Sequence, residues 1–223
     1  MKRNKKPVRN CYWCGDVATG KEHVPPKGLF NDLGNSNLKT VPSCKKHNED
    51  FKLIDERFRF YLQCVSDTEY SMANFESTVN KIILDPQKAK FSESLKHSSK
   101  FEMVNGEERL VYDIDSNQQQ KYFEKIIRGL YYLNQGKIIP EDMKVVSFSE
   151  QFISPNFDHK KHIATLEDML PASKLLPGDF ENYYIFRYSY YCFSDSFYVS
   201  MVFYNFTVVK GLVFNLTKSD NQN

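Results

Sequence analysis

The sequence predicts an α+β fold in which a small N-terminal module precedes a mixed domain of helices and an antiparallel sheet. Three observations predict it. Two closely spaced pairs of Cys and His residues lie in the first 50 residues, the middle of the chain carries apolar residues at helical spacing, and residues 176–218 are rich in aromatic and β-branched residues. A chain of 223 residues exceeds one small module, so a second core is expected.

The two pairs predict one tetrahedral zinc site. Cys11 and Cys14 have the C-x₂-C spacing, and Cys44 and His47 repeat that spacing about thirty residues later. Such a spacing presents both ligands of a pair on one tight turn, and four soft ligands suit a structural Zn²⁺. Residues 1–9 are basic, whereas a signal segment would contain an apolar run, so a cytoplasmic location is expected. In a reducing cytoplasm, bound zinc is favoured over disulfides or free thiols.

The other two cysteines, Cys64 and Cys192, show no ligand spacing. Both have apolar neighbours in the sequence. Free cysteine behaves as a small hydrophobic residue, so we expect both to be ordinary buried thiols.

Between the two pairs lies an acid–histidine pair, Glu22-His23, in a very short extended segment that Pro25 and Pro26 end. Neighbouring side chains on extended backbone point to opposite faces, so the two residues would have different roles. One can bind a metal ion while the other faces a substrate water as general base. The alternative is a surface histidine beside a surface acid.

Asn48 directly follows the last expected zinc ligand. Apolar residues at 51, 54, 58 and 61–62 have helical spacing, which predicts that the second pair opens a helix with Asn48 in its first turn. An asparagine at such a place is often a helix cap. Close to the zinc site, it can instead give its carbonyl oxygen to a hard cation.

Together these residues resemble the HNH endonuclease family, in its zinc-stapled subgroup with the ββα-metal fold. The resemblance covers residues 8–62. The matching positions are Cys11 and Cys14, Glu22-His23 followed by Pro25, Asn37-Leu38, and Cys44 and His47 followed by Asn48.

The resemblance implies roles for individual residues. His23 would be the general base, Glu22 and Asn48 would bind a catalytic divalent ion, and Asn37 would orient the base or hold its loop. The chain departs from the commonest family pattern at three positions: His47 replaces Cys, Glu22 replaces Asp, and Asn48 replaces His. Two oxygen ligands favour Mg²⁺ or Mn²⁺ over zinc as the catalytic ion.

Charge is distributed unevenly along the chain. Residues 1–60 hold 13 Lys and Arg against 7 Asp and Glu, whereas the remaining residues hold 17 against 21. Basic charge around the expected site would attract a phosphate backbone, although a solubilising tail is the alternative. The expected nucleic-acid-binding residues are Lys2, Arg3, Lys5, Lys6, Arg9 and Lys27.

The remainder of the chain predicts helices over 68–84, within 87–98 and from Ser116 to Gly136, with a hairpin over 101–114. Three antiparallel strands are expected over 182–191, 196–204 and 207–214, whose tyrosines suit either a half-buried sheet or base stacking. The expected divisions are a basic arm (1–9), the HNH module (10–62), a mainly helical region with a hairpin (63–175) and an antiparallel β region packing with it (176–218).

The resemblance implies a metal-dependent endonuclease that hydrolyses phosphodiester bonds, with DNA favoured over RNA. A role in bacterial defence against phage or foreign DNA would suit the size of the chain, with a protein partner or a second copy. The alternatives are a zinc-stabilised nucleic-acid-binding module without catalysis and a protein-interaction module. The sequence has no phosphate-binding glycine loop and no apolar run of membrane-spanning length.

Overall fold

The computed structural model describes residues 9–30, 38–66, 68–104, 106–149, 152, 163–164, 167–168, 170, 174–180 and 182–215. Helices and three antiparallel sheets are combined in these residues, so the predicted α+β class is confirmed. Among the helices in the described ranges, none combines the length and the apolar character that crossing a membrane requires.

The N-terminal end contains a two-stranded sheet followed by two helices. Strand β1 (Gly20–His23) pairs antiparallel with β2 (Thr40–Ser43). Helix α1 (Lys45–Glu49) and helix α2 (Lys52–Val65) follow. The helix predicted after the second Cys/His pair is therefore present but interrupted. The buried ring of Phe51 stands at the break and packs 5.1 Å from the ring of Trp13.

The described residues from 69 to 135 contain three α-helices and one hairpin, which confirms the helices and the hairpin predicted there. These elements are α3 (Glu69–Leu84), α4 (Ala89–His97), β3 (Ser99–Val104), β4 (Glu107–Tyr112) and α5 (Ser116–Gln135). The carboxylate of Asp115 caps the start of α5 by accepting a hydrogen bond from the Gln118 N–H (2.8 Å). Gly136 ends this helix at a φ of 67°, a conformation that favours glycine.

A five-stranded antiparallel sheet completes the fold. Its strands are β5 (Met143–Ser149), β6 (Leu176–Pro177), β7 (Phe186–Cys192), β8 (Phe197–Phe203) and β9 (Thr207–Asn215), in the spatial order β5-β9-β8-β7-β6. The predicted meander of β7, β8 and β9 is confirmed. Strand β5 was not predicted, because it pairs with β9, which follows it by about sixty residues.

Helix α5 packs between the five-stranded sheet and the N-terminal end. A β-carbon placed on Gly211 of β9 would lie 2.5 Å from Cδ1 of Ile127, so the helix lies directly on the sheet there. On another side, a β-carbon on Gly129 would lie 2.5 Å from Cγ2 of Val24. One continuous core therefore extends from Cys11 and Tyr12 into the sheet.

The two cysteines outside the Cys/His pairs differ from one another. Cys64 is half-buried rather than fully buried, and the burial that it has raises the pKa of its thiol to about 12. Cys192 is exposed, so the expectation that it is buried was wrong. It is the last residue of β7, where the strand reaches the surface, and its sulfur accepts a hydrogen bond from Nε2 of Gln135 (2.8 Å).

Candidate metal centre and adjoining active site

Two short turns bring the four predicted zinc ligands together. The first carries Cys11 and Cys14 and closes with Gly15 at a φ of 79°. The N–H of Tyr12 donates to the carbonyl of Pro42 (2.8 Å), which fixes this turn against β2. Cys44 directly precedes α1, and its side chain makes no capping hydrogen bond, so its sulfur is available to a metal.

The distances within this cluster fit tetrahedral zinc. All four ligand atoms lie within 4.8 Å of one another. The Nδ1 of His47 lies 3.7 Å from the sulfur of Cys11 and 3.3 Å from that of Cys44, and the sulfurs of Cys14 and Cys44 lie 3.9 Å apart. Ordinary Zn–S and Zn–N bond lengths in a tetrahedron give edges of about 3.8 Å (S–S) and about 3.6 Å (S–N). The cluster could therefore hold a metal ion such as zinc.

The electrostatic surroundings of two ligands favour metal binding. Burial alone would raise the pKa of Cys11, but backbone N–H groups of Cys14, Cys44 and Trp13 stabilise the thiolate and bring that pKa below its ordinary value. The pKa of Cys14 changes in the opposite direction, because burial raises it to about 12. Burial also lowers the pKa of His47. Thiolate and neutral imidazole are the forms that coordinate a metal.

Aromatic and charged side chains support the cluster from outside. The ring of Trp13 stacks on that of His47, with centroids 5.4 Å apart. The guanidinium of Arg128 lies 4.8 Å from the centroid of the same tryptophan ring, and its Nε donates to Glu124 (2.7 Å). A helix from the middle of the chain therefore helps to position a ligand of the N-terminal cluster.

Glu22 lies in β1 and is buried rather than at the surface. Its carboxylate is 3.2 Å from Nζ of Lys125, a residue that is only 1% exposed. The same ammonium group lies 2.6 Å from Oδ2 of Asp55 in α2. The alternative of a surface acid is thereby excluded for Glu22, which belongs to a buried cluster of charges.

His23 ends β1 on the opposite face and is half-buried. Its Nδ1 is buried and has no hydrogen-bond partner in the part of the chain that the structure describes. Burial lowers the pKa of His23, the carboxylate of Glu22 opposes this, and the positive charge of Lys27 adds to it. The imidazole is therefore neutral at pH 7, as a general base must be.

Asn48 lies within α1 and caps neither adjoining helix, since Cys44 and Phe51 hold the N-cap positions. A β-carbon placed on Gly20 would lie 3.7 Å from Nδ2 of Asn48, so the amide lies against Gly20 of β1. Gly20 and Glu22 are two residues apart on one strand and therefore face the same side. Asn48 is thus on the side of β1 towards which Glu22 points.

The expected nucleic-acid-binding residues are described only in part. Arg9 and Lys27 are exposed, and Lys27 begins a short 3₁₀ helix (Lys27–Phe30) directly after the acid–histidine segment. Five expected site residues lie outside the described residues: Asn37, Lys2, Arg3, Lys5 and Lys6.

Sequence reasoning missed three residues around this site: Asp55, Lys125 and Arg128. Lys125 could have been recognised from the sequence, because it lies three residues after Tyr122 and four before Gly129, inside the buried stripe of α5. A lysine within an apolar stripe needs a buried partner of opposite charge. The partner itself could not be read from local spacing.

No family model, curated protein or solved structure matches this chain. The residues and the geometry of this site are therefore the basis for assigning a function.

Proposed function

We propose that the protein is a metal-dependent endonuclease of the HNH type. The observation that carries the proposal is the arrangement around β1. This strand directs Glu22 and His23 to opposite faces, and the amide of Asn48 lies on the Glu22 side next to the Cys/His cluster.

The order of elements supports a ββα-metal module. Two paired strands are followed directly by a helix, and the Cys/His cluster joins the start of the hairpin segment to the start of that helix. In this arrangement zinc would be structural, because all four of its coordination positions are taken by protein ligands. A second ion is required for chemistry.

Glu22 and Asn48 are the residues that would hold the catalytic ion, through a carboxylate and an amide oxygen. These are hard ligands, which suit Mg²⁺ or Mn²⁺. When bound, such an ion stabilises the negative charge that develops on a phosphodiester and its leaving oxygen.

His23 would accept the proton of the attacking water. Its lowered pKa fits that role, because a general base must be neutral before it accepts a proton. Lys27 and Arg9 are exposed and would contact the phosphate backbone of the substrate. The proposed substrate is nucleic acid, with DNA favoured by the family resemblance.

A second candidate function rests on the ion pair between Glu22 and Lys125. If Glu22 serves only that pair, the module would be a zinc-stabilised nucleic-acid-binding domain without catalysis. The two candidates differ in whether a divalent ion binds at Glu22.

The test uses full-length protein that retains its zinc, incubated with supercoiled plasmid, single-stranded DNA and RNA in Mg²⁺ or Mn²⁺. We expect nicking that stops when both Mg²⁺ and Mn²⁺ are omitted and that His23→Ala slows by about 10²–10⁴-fold. The matched control is His97→Ala, because His97 is exposed on α4 and its Nδ1 lies only against its own helix, 2.8 Å from the carbonyl of Glu93. Binding without metal-dependent cleavage of any substrate would favour the second candidate.

A further inference from the structure

Lys125 is a buried cation placed where the proposed chemistry does not need one. Its ammonium group reaches from α5 to two carboxylates of the N-terminal end, 2.6 Å from Asp55 and 3.2 Å from Glu22. It also lies 5.0 Å from the centroid of the Phe51 ring. An ion in such a place is retained only if its partners compensate the loss of water.

The cluster has unused capacity for positive charge. Two carboxylates face one ammonium, which leaves one negative charge in excess. Within the described part of the chain, Oδ1 of Asp55 and the hydroxyl of Tyr12 are both buried without a hydrogen-bond partner. Burial raises the pKa of Tyr12, and the negative charges of Glu22, Cys11 and Asp55 add to that rise.

A divalent ion at Glu22 would repel the ammonium group of Lys125 strongly while both contact that carboxylate. The binding of either one at Glu22 therefore weakens the binding of the other. Lys125 has a second and closer partner in Asp55, whereas the ion's other proposed ligand, Asn48, is neutral. Movement of the ammonium group towards Asp55 is therefore the route that keeps every charge paired.

We propose that Lys125 is an internal counter-ion that competes with the catalytic divalent ion for Glu22 and that Asp55 retains it when the ion binds. This inference rests on the proposed function, since it assumes a divalent ion at Glu22. It assigns opposite effects to two residues of one cluster. Lys125 weakens divalent binding, and Asp55 strengthens it by drawing the ammonium group away.

The experiment measures Mn²⁺ affinity by titration calorimetry on the full-length, zinc-loaded protein, without substrate. We expect Lys125→Met to bind Mn²⁺ at least about tenfold more tightly, because a competing charge is lost. Asp55→Asn should bind it about tenfold more weakly, because the ammonium group is left with Glu22 alone. Lys125→Arg keeps the charge and should stay close to the wild-type affinity.

Lys121→Met is the matched control, because Lys121 lies on the same helix and its ammonium is 5.4 Å from the same Phe51 ring, yet the residue is exposed. Its Mn²⁺ affinity should not change. If Lys125→Met fails to fold, Lys125→Gln is used in its place, and the Mn²⁺ affinity of Asp55→Asn still tests the proposal. Circular dichroism and zinc content verify each variant.

Two outcomes distinguish a failure of the proposed function from a failure of this inference alone. Equal Mn²⁺ affinity of the wild type and Glu22→Gln would show that no ion binds at Glu22, which overturns the proposed function and this inference together. If Glu22→Gln loses Mn²⁺ but the Lys125 and Asp55 variants shift affinity in the same direction, or not at all, this inference alone is overturned.

Discussion

The N-terminal end and the five-stranded sheet are stabilised by different kinds of interaction. In the sheet, β8 pairs with β7 over seven residues and with β9 over seven residues. Large aromatic side chains such as Phe186, Phe197 and Phe203 are fully buried there. At the N-terminal end, each strand has four residues and α1 has five. An isolated two-stranded sheet is marginally stable in water.

This difference indicates what each end requires. We expect the N-terminal end to depend on a metal bound at its Cys/His cluster and on contacts from α5, whereas the sheet has extensive apolar packing of its own. Helix α5 serves both ends, because Ile127 packs on the sheet while Lys125 and Arg128 reach the site. Substitutions on the sheet side of α5 should therefore affect mainly the sheet, and substitutions on its other side should affect mainly the N-terminal end.

The largest expected effect comes from loss of the metal. Metal analysis should find about one tightly bound zinc per chain, and Cys44→Ser should lower the free energy of unfolding by roughly 4 kcal/mol or more. Trp13 is the only tryptophan and stacks on His47, so its fluorescence reports the change directly. The far-UV signal of the sheet should largely persist.

Cys192→Ser is the control for this experiment, because Cys192 is exposed and remote from the cluster in sequence. It should change the free energy of unfolding by no more than about 0.5 kcal/mol. A Cys44→Ser variant that keeps both its zinc and its stability would show that metal coordination by Cys44 does not stabilise the N-terminal end.

A smaller effect is expected where α5 meets the N-terminal end. Gly129→Ala places a β-carbon 2.5 Å from the γ-carbon of Val24, a stiff side chain, and should cost about 1–3 kcal/mol. Gly211→Ala makes the equivalent contact on the sheet side, against Ile127. Gly129→Ala should weaken zinc retention under chelator challenge, and Gly211→Ala should not. Equal zinc loss from both variants would mean that the two ends cannot be perturbed separately.

The smallest effect concerns one hydroxyl that joins the two ends. The Tyr204 hydroxyl donates to the carbonyl of Leu29 (2.9 Å) and accepts from Nε2 of Gln63 (3.1 Å). Tyr204→Phe leaves both groups buried and unpaired, which should cost about 1 kcal/mol. Urea denaturation would measure it, and Tyr183→Phe, which alters an exposed tyrosine, should show no change. A Tyr204→Phe variant as stable as wild type would mean that this link contributes nothing.

Local patterns predicted much of this fold. Helices α3, α4 and α5 and the β3–β4 hairpin follow from residue spacing and from caps such as Gly136, which act within a few residues. The four ligands of the Cys/His cluster were recognisable for the same reason.

Contacts between distant segments could not be predicted in this way. Strand β5 is a short apolar run whose only ladder partner among the described strands is β9. The contact of Lys125 with Glu22 joins residues about one hundred positions apart, so local spacing carries no information on it. The exposure of Cys192 depends on where β7 ends, which composition does not determine.

The proposed chemistry requires that Glu22 and Asn48 hold a catalytic ion while His23 acts as the base. Metal titrations of cleavage by Glu22→Ala, Asn48→Ala and His23→Ala test it most directly, with zinc content verified for each. Rising Mn²⁺ should restore part of the activity lost in the first two variants, because only their affinity for the ion is reduced. It should restore none in His23→Ala, whose proton acceptor is missing. Equal rescue of all three variants by Mn²⁺, or a fully active His23→Ala, would contradict the assignment of Glu22 and Asn48 to the ion and of His23 to the proton transfer.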